Sequence, residues 1–274
     1  MTTDARPVTL IRVTEFQDIL YEKHHRVRGT AWLTINRPDL MNSFTGRTLD
    51  EMRAAVQDAA ADNQVGVLVI TGAGDRAFCA GGDVRWLQKV QREGKQVPMD
   101  PHAGIEDFLK PVIARVNGYA IGGGNHLAYF CDFTIASDRA TFAQVGPRVG
   151  SPASGHWVSY LTHVVGAKKA KEIWMLTRRY SAQEALEMGL VNAVVPHEEL
   201  NAEVDRWCAE LMQKSPSCLR ILKASFREVF QPLRQPRRDW VGEFAPDFYQ
   251  TGEADEGKNA FLERRDSDFS RFLR

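Results

Sequence analysis

Two glycine-rich turns and one histidine carry the residue types that can do chemistry at a carbonyl group. Phe78-Cys-Ala-Gly-Gly-Asp83 follows the apolar run Val67–Thr71, and Gly118-Tyr-Ala-Ile-Gly-Gly-Gly124 follows Pro111–Val116. Glycines at strand ends let a ligand come close to main-chain N–H groups. If both turns face one cleft, two N–H donors meet on one oxygen and stabilise charge developing there. A helix opening after Gly122 adds the positive end of its dipole to that spot. The same spacing also describes two ordinary tight turns, and spacing alone leaves the choice open. His126 stands three residues beyond Gly123, so both occupy one face of that helix. The helix N-terminus disfavours imidazolium, which keeps the ring neutral and able to accept a proton from water or from a carbon acid. A buried packing histidine is the competing reading, and His156 carries the same two readings.

Other chemistries lack their residues. Gly72-Ala-Gly-Asp-Arg-Ala77 matches G-x-G-x-x-A after a strand, but Phe78-Cys-Ala-Gly-Gly82 follows where a dinucleotide fold needs a helix. There is no G-x-x-x-x-G-K-[ST] and no G-x-S-x-G. His24 and His25 have no companion ligands, and Cys79, Cys131, Cys208 and Cys218 form no C-x-x-C pair, so neither a metal site nor a disulfide framework is expected. The 274 residues balance 35 basic against 35 acidic side chains, which argues against a cationic nucleic-acid-binding surface. No apolar run approaches the roughly 18 residues of a membrane span. Met1–Pro7 has no apolar core. A soluble, cytoplasmic protein with no membrane or nucleic-acid partner is the expectation.

On either side of the two turns, strands alternate with helices. A hairpin is expected over 17–37, with Ala31–Ile35 its clearest strand. Leu49, Met52, Val56, Ala59 and Ala60 recur at spacings of three and four and predict a helix. Val67–Thr71 reads as a strand buried on both faces. Residues 91–104 read as a polar surface loop or lid. Further strands are expected at 111–116 and 133–136, and helices at about 123–131 and 167–177. Ser181-Ala-Gln-Glu184 fits a capping box. The chain after Glu198 is charged and helical in pattern. The fold class is α/β with a helical C-terminal region.

Asn36-Arg-Pro-Asp-Leu-Met-Asn42, Ala77-Phe-Cys-Ala-Gly-Gly-Asp83, Pro111-Val-Ile-Ala-Arg-Val-Asn-Gly-Tyr-Ala-Ile-Gly-Gly-Gly124 and Ala185-Leu-Glu-Met-Gly-Leu-Val191 resemble the crotonase superfamily, the enoyl-CoA hydratase/isomerase group. The resemblance runs from about residue 17 to the C-terminus. It implies a crotonase (ClpP-like) spiral of ββα units over 17–200, an N-terminal lead-in over 1–16, and a helical region over 201–274 that serves oligomerisation and covers the active site. It implies a trimer or hexamer and a CoA-thioester substrate, with no covalently bound cofactor. By motif position it puts the oxyanion donors at the amides of Ala80 and Gly123, and the adenine end of CoA near Leu40 and Met41.

Within the superfamily, Phe142–Ser151, Gly166–Trp174 and Gly257–Arg265 are similar to dihydroxynaphthoyl-CoA synthase and to ketocyclohexanecarboxyl-CoA hydrolase. Those enzymes make or break a ring carbon–carbon bond beside a CoA thioester. That branch implies roles for Ser151 and Tyr249 at the substrate, and a bicarbonate or water held by Gln144, Gly146 and Trp174. The departures are as informative. Hydratases carry two glutamates where this chain has His126 and Gly146, and the branch's aspartate is here Ala153. Proton transfer is therefore expected from His126, with His156 as a second carrier. Hydrolytic ring opening of a cyclic or β-keto acyl-CoA is the first expectation. A hydratase or isomerase using histidine, and a non-catalytic acyl-CoA-binding protein, are the alternatives.

Overall fold

The computed structural model describes residues 11–12, 16–93, 104–153, 155–234 and 240–272. Most of the lead-in and most of the 91–104 loop lie outside these residues.

Eleven strands form two sheets among the described residues. The larger has β1 (Ile11–Arg12), β2 (Ile19–Lys23), β3 (Thr30–Ile35), β4 (Val67–Gly72), β6 (Val112–Val116), β8 (Phe133–Ser137) and β11 (Ala193–Val195), in that spatial order. β2 and β3 make the expected antiparallel hairpin, and β3, β4, β6, β8 and β11 run parallel. The smaller sheet has β5 (Ala77–Cys79), β7 (Tyr119–Ile121), β9 (Thr141–Ala143) and β10 (Arg179–Ser181), with β7 between β5 and β9. β4, β6 and β8 of the first sheet are thus each followed by a three-residue strand of the second, β5, β7 and β9. Helices complete the turns: α1 (Gly46–Ala61), α2 (Val84–Arg92), α3 (Gly123–Phe130), α4 (His156–Val165), α5 (Ala167–Leu176) and α6 (Ala182–Glu187). This is a spiral of ββα units, as the motifs implied. The chain ends in α7 (Leu200–Met212), α8 (Pro216–Arg234), α9 (Trp240–Phe244) and α10 (Glu253–Glu263).

The continuous apolar run of β4 is explained by burial on both faces. Leu68 and Ile70 join the main core with Leu33, Ala114 and Ala136, whereas Val67 and Val69 face a second cluster with Trp32, Ile113 and Ile135. Leu200, Val204 and Cys208 of α7 seal that second face, so this helix packs as part of the sheet's core. In α1, Leu49, Met52, Val56 and Ala59 are buried as the period predicts, but Ala55 takes the inward place expected of Ala60. Ser181 and Glu184 form the expected capping box at α6. The four cysteines are free thiols.

One buried amide fastens the elements that carry the first glycine turn. Asn42 has a left-handed backbone (φ 53°), a conformation asparagine tolerates better than most residues. Its Oδ1 accepts from the Arg37 amide at 3.0 Å, and its Nδ2 donates to the carbonyls of Ala73 at 2.9 Å and Ala77 at 2.7 Å. Asn42→Ala strands these groups in the interior and is expected to cost about 2–4 kcal/mol of unfolding free energy in urea denaturation. A loss within experimental error would contradict this role.

Candidate active site

The two glycine turns abut. Gly81 has φ +87°, and a methyl group on it would stand 2.9 Å from the Ile121 carbonyl oxygen and 3.1 Å from the Gly123 nitrogen. Gly122, at φ +55°, donates its amide to Ala143 at 2.9 Å, which turns the chain into α3 with Gly123 as first residue. The Gly123 N–H is therefore an orphan of the helix N-terminus, with no acceptor among the described residues.

The first turn corrects the motif-based assignment. The Ala80 N–H is not available, because it donates to the Met41 carbonyl at 3.0 Å. The uncommitted amide is that of Gly82. Phe44 pairs with this turn as a parallel bridge, its N–H donating to Gly81 and its carbonyl accepting from Asp83, both at 2.9 Å. Successive N–H groups in an extended segment point to opposite sides. The Gly82 N–H therefore points away from Phe44, and it has no acceptor among the described residues. The alternation would have given this from sequence only if the Phe44 pairing were known.

The neighbouring groups lock this geometry. Asp83 caps α2, accepting from the amides of Arg85 and Trp86 at 3.1 Å each, and Arg37 lies 3.3 Å from its carboxylate. Leu40 is 49% exposed, and Met41 has a left-handed backbone whose carbonyl is the Ala80 acceptor. The Leu40–Met41 turn is thereby tied to the glycine turn.

α3 carries His126 into a box of aromatic rings. Its centroid lies 5.6 Å from Tyr129, 5.8 Å from Trp157 and 5.3 Å from Trp174. Burial pushes its pKa down from 6.5 to about 4, and the nearby Gln144 side chain opposes the shift. No well-formed hydrogen bond joins the two: His126 Nε2, both polar atoms of the Gln144 amide and Trp174 Nε1 are all buried without a partner. Burial therefore dominates the state of the ring, and Gln144 holds it only weakly. Such unmet polar groups are costly, and their clustering marks a place built for a purpose other than stability.

A pH dependence of stability follows. Folded, His126 stays neutral down to about pH 4, whereas the unfolded chain protonates it near 6.5. Its contribution is whole above pH 6.5 and is lost as pH falls through 4, a change of about 3 kcal/mol. Urea unfolding at pH 7.5 and pH 5 is expected to reveal the loss in the parent chain and a smaller one in His126→Leu. An equal loss in both would contradict the assignment.

Beside this box lies a cavity of about 310 Å³, with Gly146, Ser151, Ala153, Trp174, Phe248 and Glu253 in its wall. Val145, the neighbour of Gly146 in the chain, has its side chain 3.3 Å from where a Gly122 methyl would be. The Trp174 ring stands both in the cavity wall and against His126. Ser151 closes the adjoining turn by donating its amide to Gly146 at 2.9 Å.

His156 is not brought to this cavity. It opens α4 with its ring against Phe130 and Tyr160, and its Nε2 lies 2.6 Å from Glu106. The imidazole expected as a second proton carrier is thus paired with a carboxylate fifty residues away in the chain and stands apart from the described wall of this cavity. Tyr249 is 48% exposed, and its ring lies 5.1 Å from that of Phe248, a residue of the cavity wall. Glu106 and Glu253 are the acids that sequence reasoning missed.

Among the described residues no group of three or more His, Cys, Asp or Glu side chains is placed to hold a metal ion. No helix among them is long and apolar enough to cross a membrane. The model of the enoyl-CoA hydratase/isomerase family matches residues 26–271. An enoyl-CoA hydratase from Mycobacterium avium subsp. paratuberculosis K-10 is 29% identical, with a TM-score of 0.79 over 93% of this chain and 100% of that one. A monofunctional enoyl-CoA isomerase from M. smegmatis is also 29% identical, with a TM-score of 0.66 over 83% of this chain and 99% of that one. A methylmalonyl-CoA decarboxylase in complex with 2-nitronate-propionyl-CoA has a TM-score of 0.82 at 23% identity, over 93% of this chain and 99% of that one, a likeness of fold alone. A match along nine-tenths of the sequence, on a spiral whose two glycine turns abut, means that this chain belongs to the enoyl-CoA hydratase/isomerase family.

Proposed function

We propose that this protein is an acyl-CoA enzyme that cleaves a carbon–carbon bond by hydrolysis, opening the ring of a cyclic β-keto acyl-CoA. The observation that carries the reading is the pair of uncommitted amides, Gly82 and Gly123, on two abutting turns at the head of α3. They would hold the thioester oxygen as it takes on enolate charge. Water adds to the β-keto carbon and gives its proton to His126. The Cα–Cβ bond breaks, its electron pair becomes the enolate, and His126 returns the proton to Cα. Nothing else is consumed. A histidine held neutral suits the first step, and entry of water and a polar acyl group raises its basicity as the ring is rehydrated. Ser151, in the cavity wall, would orient the acyl group, and Tyr249 would close over it. Leu40 and Met41 would meet the adenine end of CoA.

The unmet polar atoms of Gln144 and Trp174, beside Gly146, fit a neutral water molecule, and the bicarbonate that the branch resemblance implies would find no cation among the described wall residues to hold it. Incubation with ketocyclohexanecarboxyl-CoA tests the main reading: loss of the β-keto absorbance supports it, and stability of every β-keto acyl-CoA offered overturns it. The second reading, hydration or isomerisation with His126 in place of a glutamate, is favoured by the names of the 29%-identical relatives. Turnover of crotonyl-CoA without β-keto cleavage would select it. Binding of either ester without product would select a binding protein.

A homo-oligomer, trimer or hexamer, belongs to the same reading. Ile221, Leu222, Phe226 and Val229 of α8 are 54–69% exposed in the single chain, an apolar face too large to leave in water. Phe226→Glu is expected to shift the assembly to smaller species in sedimentation; an unchanged mass would contradict the use of this face.

A further inference from the structure

Among the described residues of the cavity wall, Glu253 is the one with an ionisable side chain. It opens α10 and contributes to the wall beside Ser151 and Ala153. Its position is set by close packing of α10 on the turn that carries Ser151. A methyl on Gly150 would come within 2.9 Å of the Glu253 and Ala254 carbonyls, and one on Gly257 would overlap Val149. The rest of the wall is glycine, proline, apolar and aromatic residues with Ser151, and no Lys, Arg or His lines it among the described residues. The neighbouring acids Glu256 and Glu263 pair with Arg265, whereas Glu253 has no ion-pair partner among the described residues.

Resting on the acyl-CoA reading, we infer that Glu253 makes the cavity select uncharged acyl groups and reject those that bear a carboxylate. A carboxylate carried by this wall, with no described cation facing it, would repel a second carboxylate brought into the cavity. Specificity here is built by repulsion, through the absence of any cation to receive an anionic acyl group. The same repulsion serves the proposed reaction. Ring opening turns a neutral acyl group into one with a new carboxylate, so the product is expelled and re-closure is disfavoured.

The test compares binding of hexanoyl-CoA and adipoyl-CoA, equal in carbon count and differing in a terminal carboxylate, with free CoA as the reference ligand. By calorimetry the parent protein is expected to bind hexanoyl-CoA about 10²-fold more tightly than adipoyl-CoA. Glu253→Gln is expected to cut that ratio at least tenfold, and Glu253→Lys to reverse the preference, with free-CoA affinity unchanged in both. Equal binding of the two esters by the parent, or an unchanged ratio in Glu253→Gln, overturns the inference and leaves the acyl-CoA reading standing. Failure of the parent to bind CoA or either ester overturns both.

Discussion

His126→Leu is expected to lower turnover of a β-keto acyl-CoA by roughly 10²- to 10⁴-fold without lowering the unfolding free energy at neutral pH. The two halves of this result have one cause. His126 is buried with Nε2 unpartnered, so the folded chain bears the desolvation cost of that nitrogen and gains no hydrogen bond for it. An apolar side chain of similar size among Tyr129, Trp157 and Trp174 removes the cost and retains the packing. A histidine kept for stability gives the opposite pattern, with a destabilised variant and unchanged turnover. Affinity for the CoA ester is expected to stay within about threefold, because the ring acts on the acyl group after binding. Measuring kcat, KM and urea unfolding on one preparation separates the two cases.

Gly123→Ala is the second large effect. The added methyl would stand 2.7 Å from Cε1 and Cζ of Phe44. That ring is 1% exposed and packed in the main core, so it has nowhere to swing, and the head of α3 must move instead. A displaced Gly123 amide loses its hold on the developing oxyanion, for which about 10²- to 10³-fold in kcat is expected. KM for the ester should change little, since the interaction strengthens only as charge develops. Phe44→Leu in the same chain vacates the ring edge and is expected to restore at least tenfold of the loss. A Gly123→Ala variant as active as its parent would mean that this amide carries no catalytic charge.

What was legible in the sequence was local. The unbroken apolar run of β4 and the Ser181–Glu184 capping box are written in adjacent residues, and each is found where the sequence predicts it. The second sheet was not legible, because its strands are three residues long and exist through pairing with one another. Gly82 was missed for Ala80 for the same reason. The two amides are two residues apart, and only the contact with Met41 and the bridge to Phe44 decide which one is free. The Glu106 partner of His156 lies fifty positions away in the chain, beyond the reach of any local pattern. Glu253 belongs to a helix whose pattern says only that it is charged and exposed on one side; its place in the cavity comes from two glycines, Gly150 and Gly257, that let the backbones touch. Function in this chain is concentrated where distant segments meet.

A crystal structure of the protein with a non-hydrolysable β-keto acyl-CoA analogue tests the central claim most directly. The thioester oxygen is predicted to lie about 2.7–3.1 Å from both the Gly82 and the Gly123 nitrogens, with the acyl β-carbon on the His126 side of Trp174. A thioester oxygen bound to neither amide, with the acyl chain outside the cavity bounded by Ser151 and Trp174, would contradict it.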